Sequence, residues 1–333
     1  MPMDWRELHG DAFVGRRVMV TGGAGFIGSH LVEALVGLDA EVVAYDDLSG
    51  GDWGNLDGFG DSVEKIGASI LDADALTEAT AGCEVVFHEA AKGSVPGSVD
   101  DPELYHHVNV MGTLNVLQAS QRAQVRRVLF AASSSAYGNP ADDGAAKVET
   151  MAPLPLSPYA ATKLACEHDM RAWSASYDLD TVSLRYFNVF GPRQNANSAY
   201  AAVIAAFAKA LIHDRPPLIY GDGEQTRDFT FVHNVVHINL LAALCDQPLG
   251  GEVINAACGQ RVSINELADR VIEIFDRPDM KAEHKPSRAG EVMHSLADIS
   301  RARQLLGYAP LVSFEQGLAP TVDWYRENPV ATA

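Results

Sequence analysis

Cysteine is scarce in this 333-residue chain: Cys83, Cys166, Cys245 and Cys258 are scattered, with no CxxC pair and no spacing of a disulfide framework. A reducing compartment, the cytoplasm, is the expectation. Basic residues are also few. Twenty-five Lys and Arg against 44 Asp and Glu leave a net charge of −19, which speaks for an acidic, solvated surface and against nucleic acid as a partner. Long apolar runs are missing. The most apolar stretch, Ala199 to Ala208, stops at Lys209, far short of a bilayer span, so no membrane is expected. Met1 to Asp11 lacks the apolar centre of a secretory signal. No metal is expected either. His233 and His237 have zinc-like spacing but lack the Glu of HExxH and a third ligand, so they read as helix packing, and His88 reads as structural.

What the chain does have is alternation. Arg17–Val20, Glu41–Asp46, Val63–Ile70, Glu84–His88, Arg127–Ala132 and Thr181–Arg185 read as strands. Phe26–Val36, Asp74–Ala81, Leu104–Arg122 and Tyr159–Tyr177 read as helices between them. The pattern predicts an α/β fold, a Rossmann-type doubly wound parallel sheet with ligands at the carboxyl ends of its strands. After Gly191-Pro192 it loosens. Ser198–His213, His233–Asp246 and Ile264–Phe275 read as helices separated by Gly/Pro-rich turns. The expectation is a first domain over residues 1–190 and a smaller mixed α/β lobe over 191–333, with one excursion back into the first.

Between the first strand and helix lies Thr21-Gly22-Gly23-Ala24-Gly25-Phe26-Ile27-Gly28. Gly22 permits a tight turn, Gly25 lets a pyrophosphate approach the backbone, and Gly28 lets the helix pack closely. The helix N-terminus then faces the phosphates with its free N–H groups. Asp46 ends the next strand 18 residues after Gly28, near the spacing of a carboxylate that holds the adenosine ribose. It would repel a 2′-phosphate, which favours NAD over NADP. Further on, the strand Val128–Ala132 runs into Ser133, Ser134 and Ser135, three hydroxyls placed to hold a substrate hydroxyl. Tyr159 and Lys163 stand four apart on one helix face. A phenol titrates near pH 10, so Tyr159 needs the Lys163 ammonium to become a base.

Together TGGAGFIGSH, YDDLSGG, HEAAKGSVP, NVMGTLNVL, SSSAYG, SPYAATK, LRYFNVFGPRQ, GDGEQTRDF and RAGEVMHS resemble the extended short-chain dehydrogenase/reductases, in particular the NAD-dependent nucleotide-sugar epimerase/dehydratase family. The likeness runs from Val18 to about Gly307. It implies Ser133, Tyr159 and Lys163 as the catalytic group. It implies a cofactor site of Gly22, Gly25, Phe26, Ile27, Gly28, Asp46, Asp47, Leu48, Ser49, Ser69, Ile70, Ala90, Ala91, Lys92, Asn109, Tyr159, Lys163 and Tyr186. For a UDP-sugar it implies Ser94, Val95, Ser133, Ser134, Ser135 and Tyr159, with Asn188, Arg227 and Arg288 on the diphosphate and Tyr220 near the uracil. Two arginines suit that anion.

The family's dehydratases carry an acidic pair just after the strand-end hydroxyl. Here Ser134 and Ser135 stand instead, which disfavours elimination and leaves 4-epimerisation through a 4-keto sugar. Ser295, seven residues after Arg288, occupies a position that is a bulky Tyr in strict glucose/galactose epimerases. Its small size, on a wall with Ser135, Ala202 and Val203, opens room for a 2-acetamido group and implies UDP-GlcNAc and UDP-GalNAc as substrates. The alternatives are UDP-glucose or UDP-glucuronate, the latter with Arg193 as a cation near C5, and a non-catalytic NAD-sensing protein. Two departures stand out: Ser69 replaces an acid that reads adenine, with Asp72 as a possible substitute, and Glu291 replaces an Asp. The helices Leu104–Arg122 and Tyr159–Tyr177 would form a four-helix homodimer interface.

Overall fold

The computed structural model describes residues 3–139, 144–195, 203–287 and 293–328. Six strands alternate with helices: β1 (Arg17–Thr21), β2 (Glu41–Tyr45), β3 (Val63–Ile66), β4 (Val85–His88), β5 (Arg127–Ser133) and β6 (Asp180–Tyr186). A seventh, Glu252–Ala256, joins the same sheet, in the order Glu252–Ala256, β6, β5, β4, β1, β2, β3. Every pairing is parallel. The chain runs outward from β1 through β2 to β3, then returns to place β4 on the other flank of β1. That reversal opens a crevice between β1 and β4 at their carboxyl ends, the usual place for a ligand in an open parallel sheet.

Successive strand residues face opposite sides, and both sides are buried. Val18, Val20, Val42, Ala44, Val85 and Phe87 pack against the helices Phe26–Gly37 and Val232–Leu244. Met19, Val43, Tyr45, Val86, Val128 and Phe130 face the helices Ala73–Thr80, Gly112–Arg122 and Pro158–Ser176. A separate core beyond residue 190 gathers Phe190, Phe207, Phe229, Phe231 and Phe314 with Leu267 and Val271. Its helices are Val203–Ile212, Ile264–Ile274 and Phe314–Glu327.

Three elements differ from the sequence reading. β3 stops at Ile66 rather than Ile70, because the Tyr45 hydroxyl donates to Ser69 O at 2.8 Å and Asp72 caps the next helix. Leu104–Arg122 is not one α-helix: Pro102–Tyr105 passes through a π-helical stretch, His106–Met111, before Gly112–Arg122. A widened turn of this kind often marks a functional region, and here it carries Asn109. The strand Glu252–Ala256 was missed, being short and following Gly250-Gly251 with no clear period. The segment 196–202, the start of the expected helix Ser198–His213, lies outside the described residues.

Candidate active site

At the end of β1 the chain turns at Gly22, with φ +68°; a Cβ there would lie 2.8 Å from Ala90 N. The helix Phe26–Gly37 starts directly after Gly25, which offers its free N–H groups no side-chain cap. The helices starting at Ala73, Pro158, Ile264 and Phe314 are all capped by Asp or Ser. An uncapped N-terminus opening on a cleft fits a pyrophosphate. Asp46, at the end of β2, accepts Ala24 N–H at 3.0 Å and Leu48 N–H at 2.8 Å. Burial pushes its carboxyl up while those N–H groups pull it down. Each oxygen keeps a lone pair for a ribose hydroxyl. The donor set therefore fits a dinucleotide without a 2′-phosphate.

Behind this wall, the buried Asn109 accepts Lys92 N–H at 2.8 Å and donates to Lys92 O at 3.1 Å and Thr162 Oγ1 at 3.0 Å. It fixes the chain after β4 to the helix Pro158–Ser176. His88 is held between Thr21 Oγ1 at 2.7 Å and Thr113 Oγ1 at 2.9 Å, and burial lowers its pKa to about 3.

Ser133 closes β5. Its Oγ accepts the Ser135 N–H at 3.2 Å and the Ser135 hydroxyl at 2.8 Å. Tyr159 and Ser133 line the same cleft. Ser157 caps the helix that carries Tyr159, accepting Ala160 N–H at 3.1 Å. Burial pushes the Tyr159 phenol up, and the Ser133 contact works against that rise. The sequence reading had the Lys163 ammonium lower it. Here Lys163 Nζ instead donates to Ala131 O at 2.7 Å and lies 4.7 Å from the Phe130 ring centre. Its own pKa is depressed by burial.

These groups face one cleft of about 1030 Å³. Gly22, Gly25, Phe26, Ile27, Gly28, Asp46, Asp47, Ser49, Ile70, Ala90, Ala91, Lys92 and Tyr186 line it. So do Ser94, Val95, Ser133, Ser134, Ser135, Tyr159, Lys163, Asn188, Arg227 and Ser295. Seven expected residues lie off it. Leu48 is exposed with φ +60° beyond the Asp46 turn. Ser69 Oγ accepts Leu71 N–H at 3.3 Å, and Ala68 and Ile70 take the lining position. Asp72, its expected substitute, caps a helix through Ala75 N–H at 3.0 Å. Asn109 sits behind the wall. Val203 begins a helix, and Tyr220 ends the strand Leu218–Tyr220 on Glu283–Lys285. Arg193 is drawn to Glu33 at 2.5 Å and Ser29 Oγ at 3.4 Å, so it does not supply a cation to the cleft. Ala202, Arg288 and Glu291 fall outside the described residues.

The sequence reading missed Glu89. It lines the cleft and accepts the Tyr186 hydroxyl at 2.6 Å, while Asn239 Nδ2 donates to that hydroxyl at 2.8 Å. Burial pushes its carboxyl up to about 7, opposed by the Tyr186 hydrogen bond and the Lys163 charge. Its signal was the single acid in an otherwise apolar strand end, His88-Glu89-Ala90-Ala91.

At the far end Ser295 pairs in register with Arg227. Asp228 accepts the backbone N–H groups of Cys258 at 3.0 Å, Gly259 at 3.0 Å and Ala297 at 3.1 Å. Burial raises its pKa to about 6 against those bonds. His233 and His237 stack among Trp5, His9, His30 and Phe231. Among the described residues, no group of three or more His, Cys, Asp or Glu could hold a metal ion. No helix there is long and apolar enough to cross a membrane.

The NAD dependent epimerase/dehydratase family model matches residues 18–257. A UDP-glucose 4-epimerase of Mycolicibacterium smegmatis is 40% identical over 94% of this chain and 99% of its own length. Among solved structures, the UDP-N-acetylglucosamine 4-epimerase from Methanobrevibacter ruminantium, in complex with UDP-N-acetylmuramic acid, superposes with a TM-score of 0.89. It is 40% identical over 95% of this chain and 99% of that one. The Thermus thermophilus UDP-glucose 4-epimerase complex with NAD gives a TM-score of 0.83 at 34% identity, covering 93% of this chain and 99% of that one.

Proposed function

The chain belongs to the NAD dependent epimerase/dehydratase family, and we propose that this UDP-sugar 4-epimerase prefers the N-acetylated pair UDP-GlcNAc and UDP-GalNAc. The observation that carries the chemistry is that Ser133, Tyr159 and Lys163 line the same cleft as the uncapped helix and Asp46. The uncapped helix at Phe26 and Asp46 would hold NAD, which when bound would supply a hydride acceptor and donor for C4.

The chain's own residues do the rest. Ser133 and Tyr159 hold the C4 hydroxyl between them, and Tyr159 accepts its proton as C4 is oxidised. The Ser133 contact favours the phenolate. Lys163 adds positive charge at the same end of the cleft. Ser134 and Ser135 provide no carboxylic acid to protonate a leaving hydroxyl, so the sugar is reduced back rather than dehydrated. The small Ser295 on the cleft wall leaves room for a 2-acetamido group, which supports the N-acetylated preference. Arg227 and Asn188 line the cleft where the diphosphate would lie.

A UDP-glucose preference is the second reading, since a relative with that name is 40% identical over 94% of this chain. Proton NMR of the C4 epimer, with UDP-GlcNAc, UDP-glucose and UDP-glucuronate supplied separately, decides between them. Fastest conversion of UDP-GlcNAc supports the preference. Conversion of a plain or acidic sugar alone overturns the Ser295 argument, and no conversion with NAD retained points to a non-catalytic NAD-sensing protein.

We assign residues 1–190 mainly to the cofactor and 191–333 mainly to the UDP-sugar. A cytoplasmic homodimer completes the proposal. It rests on four unpaired thiols and on Leu104 and Met111, 40% and 45% exposed on the helices expected to pair.

A further inference from the structure

Lys147 is 5% exposed, yet it lines the cleft. Its backbone is pinned at the sugar end. Its N–H donates to Leu296 O at 2.7 Å, one residue past Ser295. Its carbonyl accepts Asn255 Nδ2 at 2.9 Å and Asp298 N–H at 3.0 Å. Asn255 Oδ1 in turn accepts the hydroxyl of Tyr137, four residues on from Ser133, at 2.7 Å.

Among the described residues, the carboxylates tied to the same segments hold backbone N–H groups. Glu149 accepts Asn255 N–H at 2.9 Å, and Asp228 accepts three backbone N–H groups. Among the described residues the Lys147 ammonium has no hydrogen-bond or ion-pair partner, and it is not one of the polar atoms sealed off from solvent. A nearly buried ammonium is costly without an anion. The other buried lysine among the described residues differs: Lys163 Nζ donates to Ala131 O at 2.7 Å.

We infer that Lys147 is a specificity residue whose ammonium binds a carboxylate carried on the hexose of the UDP-sugar. This rests on the UDP-sugar reading above and deepens it. The accepted class then includes acidic hexoses, and with the space beside Ser295 it extends to hexoses that are both N-acetylated and carboxylated. The carboxylate can sit at C5, as in a uronate, or on a 3-O-lactyl ether, as in a muramate. A charge-assisted pair screened from water suits either.

The test is calorimetric titration of the NAD-loaded protein with UDP, UDP-GlcNAc, UDP-glucose, UDP-glucuronate and UDP-N-acetylmuramate. Lys147→Met keeps the apolar stem and removes the charge. It should weaken at least one acidic sugar by about 10- to 100-fold, and which one weakens identifies the position of the carboxylate. UDP and UDP-GlcNAc should stay within about threefold, and Lys147→Arg should recover most of the loss. Should Lys147→Met melt early, the unaltered protein decides by binding UDP-glucuronate more tightly than UDP-glucose, or UDP-N-acetylmuramate more tightly than UDP-GlcNAc, by about tenfold. Equal weakening of UDP itself would assign the ammonium to the diphosphate and overturn the inference. So would unchanged affinity for all five. Failure to convert any UDP-sugar sinks the epimerase reading, whereas charge selectivity is read from binding and stands or falls separately.

Discussion

The two ends of the cleft are built in different ways. The cofactor end is local: a turn, a helix and two strand ends between Gly22 and Lys92, on the rigid centre of the sheet. Its polar groups bond to near neighbours, as Asp46 does to Ala24 in the turn after β1 and to Leu48 two residues on. The sugar end is stitched from remote pieces. Asn255 joins Tyr137, Lys147 and Asp298, and Asp228 joins residues near 258 and 297. Each piece there depends on one buried polar side chain. The fixed chemistry thus sits on backbone that the whole core holds, while selectivity sits where single residues can change it.

The largest effect should come from the reacting group. Tyr159→Phe should cut turnover by about 1000-fold, within the range for losing a positioned acid–base group. NAD content, read by absorbance after denaturation, should be unchanged. Turnover that persists would break the assignment of Tyr159.

Asn255→Ala should then separate the two ends. It takes one partner each from the Tyr137 hydroxyl and the Lys147 and Asp298 carbonyls, at a cost of about 1–3 kcal/mol in stability. KM for the UDP-sugar should rise several-fold with NAD retention intact. Equal loss of NAD would show that the ends are not independent. Ser295→Tyr should shift preference from N-acetylated to plain sugar by about tenfold, near the scale for a group filling a pocket. An equal loss on both sugars would contradict the space argument.

The smallest effect concerns pH. Burial lowers His30 to about 3 and His233 and His237 to about 4. The unfolded chain protonates these rings near 6.5, so their contribution is full above that pH and is lost as pH falls toward 4. Glu89 and Asp228 act in the opposite sense: raised to about 7 and about 6, they favour the fold at low pH and lose that contribution as pH rises through those values. The imidazoles outnumber them, so the urea midpoint should drop between pH 7 and pH 5, and His233→Gln should flatten the drop. An unchanged slope would mean that the stacked histidines are not its source.

The same contrast explains what was legible in the sequence. Parallel strands buried on both faces and a glycine turn between strand and helix are local signals, so the parallel sheet, though not its strand order, and most of the cleft wall between Gly22 and Lys92 could be read directly. Ser133, Tyr159 and Lys163 were legible because strand end and helix face bring them together. Glu89 was hidden because its partners, Tyr186 and Asn239, come from elements about 100 and 150 residues away. Ser69 and Tyr220 were misplaced because a hydroxyl's direction follows from the turn it caps or the strand it ends, which spacing does not encode. Lys147 had no local signal: only the meeting of residues near 147, 255 and 296 buries it.

Oxidation and re-reduction at C4 is tested most directly with UDP-GlcNAc deuterated at C4, incubated with the NAD-loaded protein in ordinary water. Transfer to NAD and back predicts that the epimer keeps its deuterium at C4. Loss of the label to water, at the rate of epimerisation, would contradict it.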